Sequence, residues 1–405
     1  MKLLRLSNFN LNHFRLIFQE NDLEKKLKTN STTFDVIIVG GGLAGLSSAI
    51  HLSKANLSVL VIEKNNFPKH KVCGEYISNE VLPYLNYLDI DVFELGAKKI
   101  DKFQLSTTKS KLISAPLPLG GFGISRYCLD NALVEKAKDN GVQIVQDTVE
   151  DIQFRNDQFS IITKNRERFK SKMVIGAFGK RSNLDVKLDR QFIKTKSPYL
   201  AVKTHVKGDF PDDLVALHNF EGGYCGVSKV ENDSINLCYI TNFKTFKTYK
   251  DIDEFQEKVV FKNQYLKDVF GKTTSVFEQP LTISQISFED KKPIENHIIM
   301  CGDTAALIHP LCGNGMSMAI RSAQIASLLI IKFYNSEISD RDALEKQYLR
   351  EWNTAFKSRL KTGHIVANLF NQPRISEVLM QGLKWFPGIL PHIIKRTHGT
   401  IMRVE

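Results

Sequence analysis

The sequence predicts an α/β chain: a Rossmann-like parallel sheet, split by an inserted antiparallel sheet and followed by a helical C-terminus. Three observations predict it. An apolar strand beginning at Phe34 runs into a glycine-rich turn and a helix, and a second strand follows. From about Ser197 to Ile240 the pattern turns strand-rich with hairpin spacing. Over His297–Asp303, in the run "HIIMCGD", a buried strand again feeds a glycine turn and a helix. An order of β-α-β, then hairpins, then β-α once more is that of one sheet interrupted by a second domain.

The elements follow in order. "FDVIIVGGGLAGLSSAIHLSKANLSVLVIEK" is strand, glycine turn, helix, a turn at Asn56, and a strand ending at Glu63. "DVIIV" is apolar almost throughout, as a strand buried on both faces should be. Ala44, Ser47, Ser48 and Ala49 are small enough for the helix to approach the sheet. "SRYCLDNALVEKAKDN" reads as a helix stopped at Gly141, with short strands after it. "YLAVKTHVKG", "LVALHNF", "GYCGVSKV" and "INLCYI" are strands, the last two joined by an "ENDS" turn. "DEFQEKVVFKNQYLKDVF" reads as one helix, and the C-terminal part as helices broken at Pro373, Pro387 and Pro391. The expected organisation is an N-terminal extension over 1–33, poorly ordered; dinucleotide-binding segments at 34–110, 111–190 and 291–335; a substrate domain at 191–290; and a helical region at 336–405.

The chain has 405 residues, 42% hydrophobic and 24% charged, with a formal net charge of +11. That length exceeds the roughly 250–300 residues at which single cores stop growing, so two subdomains are expected. The basic excess suits an anionic surface or phosphorylated ligand, or is a plain solvated face. Six scattered cysteines without a C-x-x-C pair or metal-ligand spacing suit a reducing cytoplasm. No zinc site is expected, and no apolar stretch reaches the roughly 18 residues of a membrane span. His13 and Arg15 interrupt any signal-peptide core in the first 33 residues, which are either an amphipathic docking helix or a frayed extension.

Gly40-Gly41-Gly42-Leu43-Ala44-Gly45 is a G-x-G-x-x-G that leaves a strand and opens a helix, and Glu63 ends the next strand. The first glycine makes the turn, the second admits a pyrophosphate, and the third lets helix and strand pack closely. The helix N-terminus presents free N–H groups to phosphate, and Glu63 can accept from a ribose diol. This constellation points to an adenine dinucleotide without choosing between FAD and NAD. "CGDTAALIHPLCGNGMSMAIRSA" favours the flavin: Asp303 at a strand end suits ribitol hydroxyls, and the Gly313–Gly315 turn aims a helix N-terminus at a ring that carries negative charge when reduced.

With those motifs in view, the sequence resembles the flavoprotein superfamily that holds p-hydroxybenzoate hydroxylase and the geranylgeranyl reductases. The likeness runs from Phe34 to about Ile330, through "VGGGLAGLSSA", "VIGAFGKRS", "CGDTAALIHPLCGNGMSMAI" and "KHKVCGEYIS". It implies a glutathione-reductase-type fold and an FAD. Gly40, Gly42, Leu43, Ala44, Gly45, Glu63 and Lys64 would hold it on one side; Arg126, Gly302, Asp303, Pro310, Gly313, Asn314, Gly315 and Met316 would hold it on the other. Cys73 and Glu75 would stand beside the flavin as candidate catalytic residues. Lys203, His205, His218 and Tyr224 lie on strands expected to roof the substrate pocket.

Departures are informative. Where the superfamily carries Ala-Asp-Gly, this chain has Ala177-Phe178-Gly179, with Arg181-Ser182 kept. A phenyl ring cannot accept a hydrogen bond, but it can stack or close a cleft, so the electrons come either from a nicotinamide docked through Arg181 and other basic residues or from a protein or quinone donor. The roof stretch "GGYCGVSKVE" lacks the Trp and Phe-Pro of the reductases, and no W-x-W-x-I-P string of flavin halogenases is present. The expected function is an FAD-dependent oxidoreductase, monooxygenase-like, using NAD(P)H and a hydrophobic lipid, phenolic or polyketide-type substrate. A geranylgeranyl reductase-like double-bond reductase is one alternative, with Cys73 or Glu75 giving the proton. A membrane-associated electron-transfer flavoprotein is another, because "GLKWFPGILPHIIKRTHGTIMRVE" mixes Trp385 and Phe386 with Lys384, Lys395, Arg396 and Arg403. No nucleic-acid partner is expected, and peripheral contact with the inner face of a membrane is the alternative to a purely cytoplasmic location.

Overall fold

The computed structural model describes residues 32–404 apart from 196, 371–380, 384, 386 and 387. Residues 1–31 of the expected extension, Pro373, Lys384, Phe386 and Pro387 lie outside the described residues, while Thr33 already belongs to the first strand. A parallel sheet is centred on β1 (Thr33–Val39), which pairs with β2 (Val59–Glu63) on one side and β9 (Arg168–Gly176) on the other. β6 (Gln143–Gln146) extends the first edge and β17 (Ile298–Met300) the second, both parallel. The hairpin of β7 (Val149–Arg155) and β8 (Gln158–Thr163) adds to β9, and β16 (Ile294–Glu295) closes the edge beside β17. Val36–Val39 are buried on both faces, which explains why this strand shows no alternation. Helix Leu43–Lys54 packs across helix Gly315–Tyr334, so the two glycine-turn helices stand side by side. A Cβ at Gly302 would lie 3.2 Å from the Ala44 methyl group and 3.3 Å from that of Ala319, which is why this seam needs small residues.

The Gly315–Tyr334 helix is long and apolar enough to cross a bilayer, but 67% of its most apolar window is buried in the fold, as a core helix would be. The recognised architecture is therefore present: a parallel nucleotide-binding sheet with a second sheet inserted. That second sheet runs β14 (Thr273–Ser275), β10 (Tyr199–Gly208), β13 (Ile235–Asn242), β12 (Gly223–Lys229), β11 (Leu214–Phe220), β4 (Lys98–Ser106), β5 (Leu112–Gly123), β3 (Tyr76–Ser78), with β15 (Leu281–Ser284) also paired to β10.

Several expectations need correction. β3, β4 and β5 belong to the second sheet, with β4 lying parallel to β11. The segments 34–110 and 111–190 are thus not purely dinucleotide-binding, and the inserted sheet is not wholly antiparallel. The alternating pattern of "LISAPLPLGGFG" marks a sheet with one covered face, a signal the segment boundaries passed over. The single helix expected over 253–270 is two, Ile252–Lys258 and Gln264–Gly271. Buried Asn263 separates them: its Oδ1 accepts from the N–H groups of Tyr265 and Leu266, while its Nδ2 donates to Ser106 Oγ and the Thr107 and Asn219 carbonyls. Pro391 does not break a helix but sits in the first turn of Ile389–Thr397, where a missing N–H has no intrahelical partner to lose.

Each strand of the second sheet splits its residues between two faces. On β11, Val215 and Leu217 face the first sheet, whereas Leu214, Ala216 and Phe220 pack with Phe255 in a separate core. The first of these faces roofs the site.

Candidate functional site

Gly40 has φ 107°, and a Cβ there would fall 2.3 Å from the Ala177 carbonyl oxygen. At Gly45 a Cβ would lie 2.0 Å from the Gly40 oxygen. These two glycines make the turn and the close packing. Gly42 is different, because a Cβ there would meet only the tip of Arg126 at 3.7 Å. The open space over Gly42 is where a ligand can approach backbone.

Helix Leu43–Lys54 starts at Gly42 with no side-chain cap and no acid in its first turn. Helix Gly315–Tyr334 starts at Asn314 in the same condition. Uncapped helix starts leave N–H donors and positive dipole ends free for an anionic or electron-rich ligand. Both open onto one cavity of about 730 Å³, in the range of small-molecule sites. Gly40, Gly42, Leu43, Ala44, Glu63, Lys64, Arg126, Gly302, Asp303, Pro310 and Gly313–Met316 all line it. Gly45 does not, in keeping with its packing role. The residues present therefore fit an FAD laid between two helix starts. Bound there, the cofactor would supply the redox chemistry, and the chain supplies the seat.

Glu63 is fixed at the end of β2: Oε2 accepts from the Gly41 N–H at 2.8 Å and Oε1 from the Asn65 N–H at 2.9 Å. Arg126 opens helix Arg126–Asp139 and is gripped by Asp130, Nε to Oδ1 at 2.7 Å and Nη2 to Oδ2 at 2.9 Å. Lys71 reaches the same carboxylate at 2.8 Å. Burial alone would raise the Asp130 carboxyl, yet Arg126 and Lys71 hold it below its ordinary range. Asp130 and Lys71 escaped the sequence reading. The i, i+4 spacing of Arg126 and Asp130 was the available signal.

Phe178 lines the cavity, and its ring packs so close to Gly176 that a Cβ there would be 3.0 Å from its Cε1. The Gly179 N–H donates to Thr304 Oγ1 at 2.8 Å, joining this segment to the Gly302–Thr304 turn. Arg181 also lines the cavity, with its guanidinium at 3.5 Å from the Ile193 carbonyl oxygen.

Cys73 and Glu75 both border the cavity, but they differ in kind. Cys73 is half-buried with a free thiol. Glu75 is fully buried at φ 53°. Its Oε1 accepts from the Lys203 ammonium and, at 2.8 Å, from the Arg126 N–H, while Oε2 faces His205 Nε2 at 2.6 Å. Burial would raise this carboxyl, but the hydrogen bond from His205 and the Lys203 charge outweigh it and hold the group below its ordinary range. An ionised carboxylate accepts, so Glu75 has no proton to give near neutral pH. Its chemistry is to bind Lys203 and His205 and fix the Lys71–Glu75 segment.

Three pocket expectations change accordingly. Lys203 and His205 lie on the cavity side of β10, with Ala201, but the Lys71–Glu75 segment covers them. His218 faces away: it hydrogen-bonds Ser106 Oγ at 2.9 Å and stacks on Tyr265. Strand alternation explains it, since neighbours Val215 and Leu217 take the cavity face. Tyr224 does line the cavity, beside His309 and Phe288. The sequence reading also missed the contribution of the C-terminal helix, which brings Leu390, Ile393 and Ile394 to the same cavity.

Comparison with known proteins agrees with this geometry. The family model for FAD dependent oxidoreductases matches residues 35–74, from β1 through the glycine turn to Gly74. A digeranylgeranylglycerophospholipid reductase of Methanosarcina acetivorans is 24% identical over 83% of this chain and 84% of its own. A menaquinone reductase of Mycobacterium tuberculosis is 22% identical over 73% and 76% respectively. Among solved structures, a flavin-dependent brominase superposes with a TM-score of 0.74 at 19% identity, covering 90% of this chain and 93% of that one. A halogenase in complex with phloroglucinol and FAD superposes at 0.69 and 17%, covering 89% and 83%. Glycine turn, likeness along most of the chain and shared architecture lead to one conclusion: the chain carries the FAD dependent oxidoreductase motif over 35–74 and is built on the fold of the flavin-dependent halogenases and monooxygenases.

Proposed function

We propose that the protein is a monooxygenase-like flavoenzyme that oxidises a hydrophobic lipid, phenolic or polyketide-type molecule with electrons from NAD(P)H. One observation carries this reading: the cavity that begins at the two glycine turns continues, without a partition, between apolar side chains of β4, β5, β11 and the C-terminal helix. Leu105, Leu117, Val215 and Leu217 can take up an apolar substrate and exclude water from the redox centre. Uncapped N–H groups at Gly313–Met316 would orient the cofactor, and Cys73 lines the same cavity.

A second reading is double-bond reduction of an isoprenoid or quinone, which the names of the two reductase relatives favour. In that case the proton would come from Cys73 or from water, because Glu75 is held as a carboxylate. Reacting the FAD-loaded protein with candidate quinones and polyprenyl lipids, with NADH or NADPH, under air and under argon, separates the two. Product mass gains one oxygen only under air in the first reading, and two hydrogens under argon in the second. If neither nicotinamide bleaches the flavin with substrate present, the nicotinamide donor is wrong. Exposed Trp385, Ile389, Lys395 and Arg396 support peripheral contact with anionic lipid. Liposome co-sedimentation that salt abolishes is the expected result, and no sedimentation at low salt rejects the contact.

A further inference from the structure

Glycine is an unfavourable residue inside a strand, because it costs chain entropy and packs nothing. In the second sheet most strand glycines are nonetheless forced. A Cβ would fall 2.4 Å from the Tyr76 ring at Gly121 and 1.9 Å from the Lys229 carbonyl oxygen at Gly123. It would fall 2.6 Å from Thr273 Cγ2 at Gly208 and 2.1 Å from the Ile240 carbonyl oxygen at Gly223, while Gly120 has φ 67°. Gly226, in the middle of β12, is under no such constraint. Its φ lies outside the left-handed region. A Cβ there would make only ordinary contacts, with Leu217 Cδ2 at 3.6 Å and the Cys238 carbonyl oxygen at 3.7 Å. Nothing in the fold asks for glycine at this position.

Strand pairing shows what the missing side chain leaves open. Gly226 stands opposite Leu217 of β11 and Cys238 of β13, and directly opposed residues point to the same face. Leu217 faces the cavity, so the Gly226 position does too. β11, β12 and β13 lie inside the sheet with a neighbour on each side. Cys225, Val227, Leu237 and Tyr239 are buried in the separate core on the other face, yet Gly226 and Cys238 are only half-buried. Their accessible surface is therefore turned into the cavity that both of them line. The result is a strip of bare backbone in the roof, flanked by Leu217 and Cys238. Tyr224, two residues along on the same face, stands at one end of the strip. Its ring lies 6.2 Å from that of His309, which in turn lies 4.7 Å from Phe288.

We infer that Gly226 is a specificity-determining residue: the bare strip at this position takes a flat, fused-ring part of the substrate rather than a linear alkyl chain. The inference rests on the hydrophobic-substrate reading above and deepens it, by choosing the ring-bearing phenolic or polyketide-type molecule over the chain-like lipid. A saturated chain is narrow enough to run between roof side chains and gains little from extra depth. A fused ring is rigid, and it needs a wall from which no side chain projects. The Tyr224 ring offers it an offset or edge-on aromatic contact. Glycine in a strand commonly marks such a close approach of a ligand to backbone.

The test uses FAD-loaded full-length protein and two probes with the same number of carbons and one hydroxyl each, 1-naphthol and 1-decanol. Isothermal titration calorimetry measures each affinity, with FAD affinity and the urea midpoint followed in parallel. In Gly226→Val, 1-naphthol binding weakens by about tenfold or more, the size of an overpacking clash, while 1-decanol changes less than about threefold. Gly226→Ala shifts the ratio in the same direction by a smaller factor. Its urea midpoint is at or above the parent's, because alanine suits an extended strand where a Cβ has room. FAD affinity is unchanged in both variants. Should Gly226→Val fail to fold, Gly226→Ala carries the test alone. Equal losses for the two probes, no loss for 1-naphthol, or binding of 1-decanol alone to the unaltered protein overturns the ring slot while leaving a hydrophobic substrate in place. A Gly226→Ala midpoint below the parent's overturns the argument that the fold leaves this position free. Failure of both probes to bind the unaltered protein instead overturns the hydrophobic-substrate reading itself.

Discussion

Replacing Lys203 with methionine tests the most consequential contact in the site. Lys203 and Glu75 are both fully buried, and their ion pair joins β10 to the segment that carries Cys73. Methionine keeps most of the volume and the apolar stem but leaves the carboxylate facing only His205 and one backbone N–H. Breaking a buried pair from one side costs about 3–5 kcal/mol, because the remaining charge is stranded. The expected loss in urea unfolding at neutral pH is of that size, and adding Glu75→Gln to Lys203→Met returns at least half of it. The pH dependence has a definite sign. Glu75 titrates below its ordinary 4.5 in the folded protein, so its contribution is complete above that value and is lost as pH falls through the depressed one. The gap between the parent and Lys203→Met therefore narrows in acid. A Lys203→Met midpoint within error of the parent at neutral pH, or a gap that widens in acid, would refute the ion-pair argument.

Further outcomes follow from the same geometry. Gly42→Ala should leave unfolding free energy within about 0.5 kcal/mol but abolish FAD uptake in titration, whereas Gly45→Ala should destabilise the apoprotein by about 1–3 kcal/mol or more through its clash with the Gly40 carbonyl. His51, His218 and His309 are pushed down from 6.5 to about 4, chiefly by burial. The unfolded chain thus takes up protons that the native state refuses. Stability is full above about pH 6.5 and falls toward pH 4, by up to about 3 kcal/mol per histidine. His218→Leu should reduce that slope in urea midpoints measured across the range, without altering FAD affinity. Phe178→Asp should change the rate at which NADH or NADPH reduces the flavin in anaerobic stopped flow; an unchanged rate would mean that the ring only packs against Gly176.

The cofactor end of the site was legible because its demands are local. A left-handed Gly40, an open Gly42, a packed Gly45, Glu63 at a strand end and a helix opening at Gly315 are each specified within a few residues of chain. Short-range backbone geometry leaves a signature in any window that contains it. The apolar end of the cavity was legible only in outline. Strand identity in the insert was readable, yet the side facing the site depended on which neighbours the sheet acquired, and His218 fell on the other one. Period-two alternation with Leu217 held that information but could not say which face was which.

Tertiary structure alone decided the partners of the buried charges. Glu75 meets Lys203 and His205 across 128 and 130 residues of sequence, and nothing in "KVCGEY" marks its carboxyl as a held anion rather than a proton donor. The same is true of the C-terminal helix, whose amphipathic stripe is equally compatible with a membrane, a core or a pocket until the fold brings it against β5. Sequence by itself determined the glycine turns and uncapped helix starts that open onto the cavity, because hydrogen-bonding and steric requirements act over a few residues. Charge pairing and cavity walls are sums over distant segments, and only the folded chain sets them.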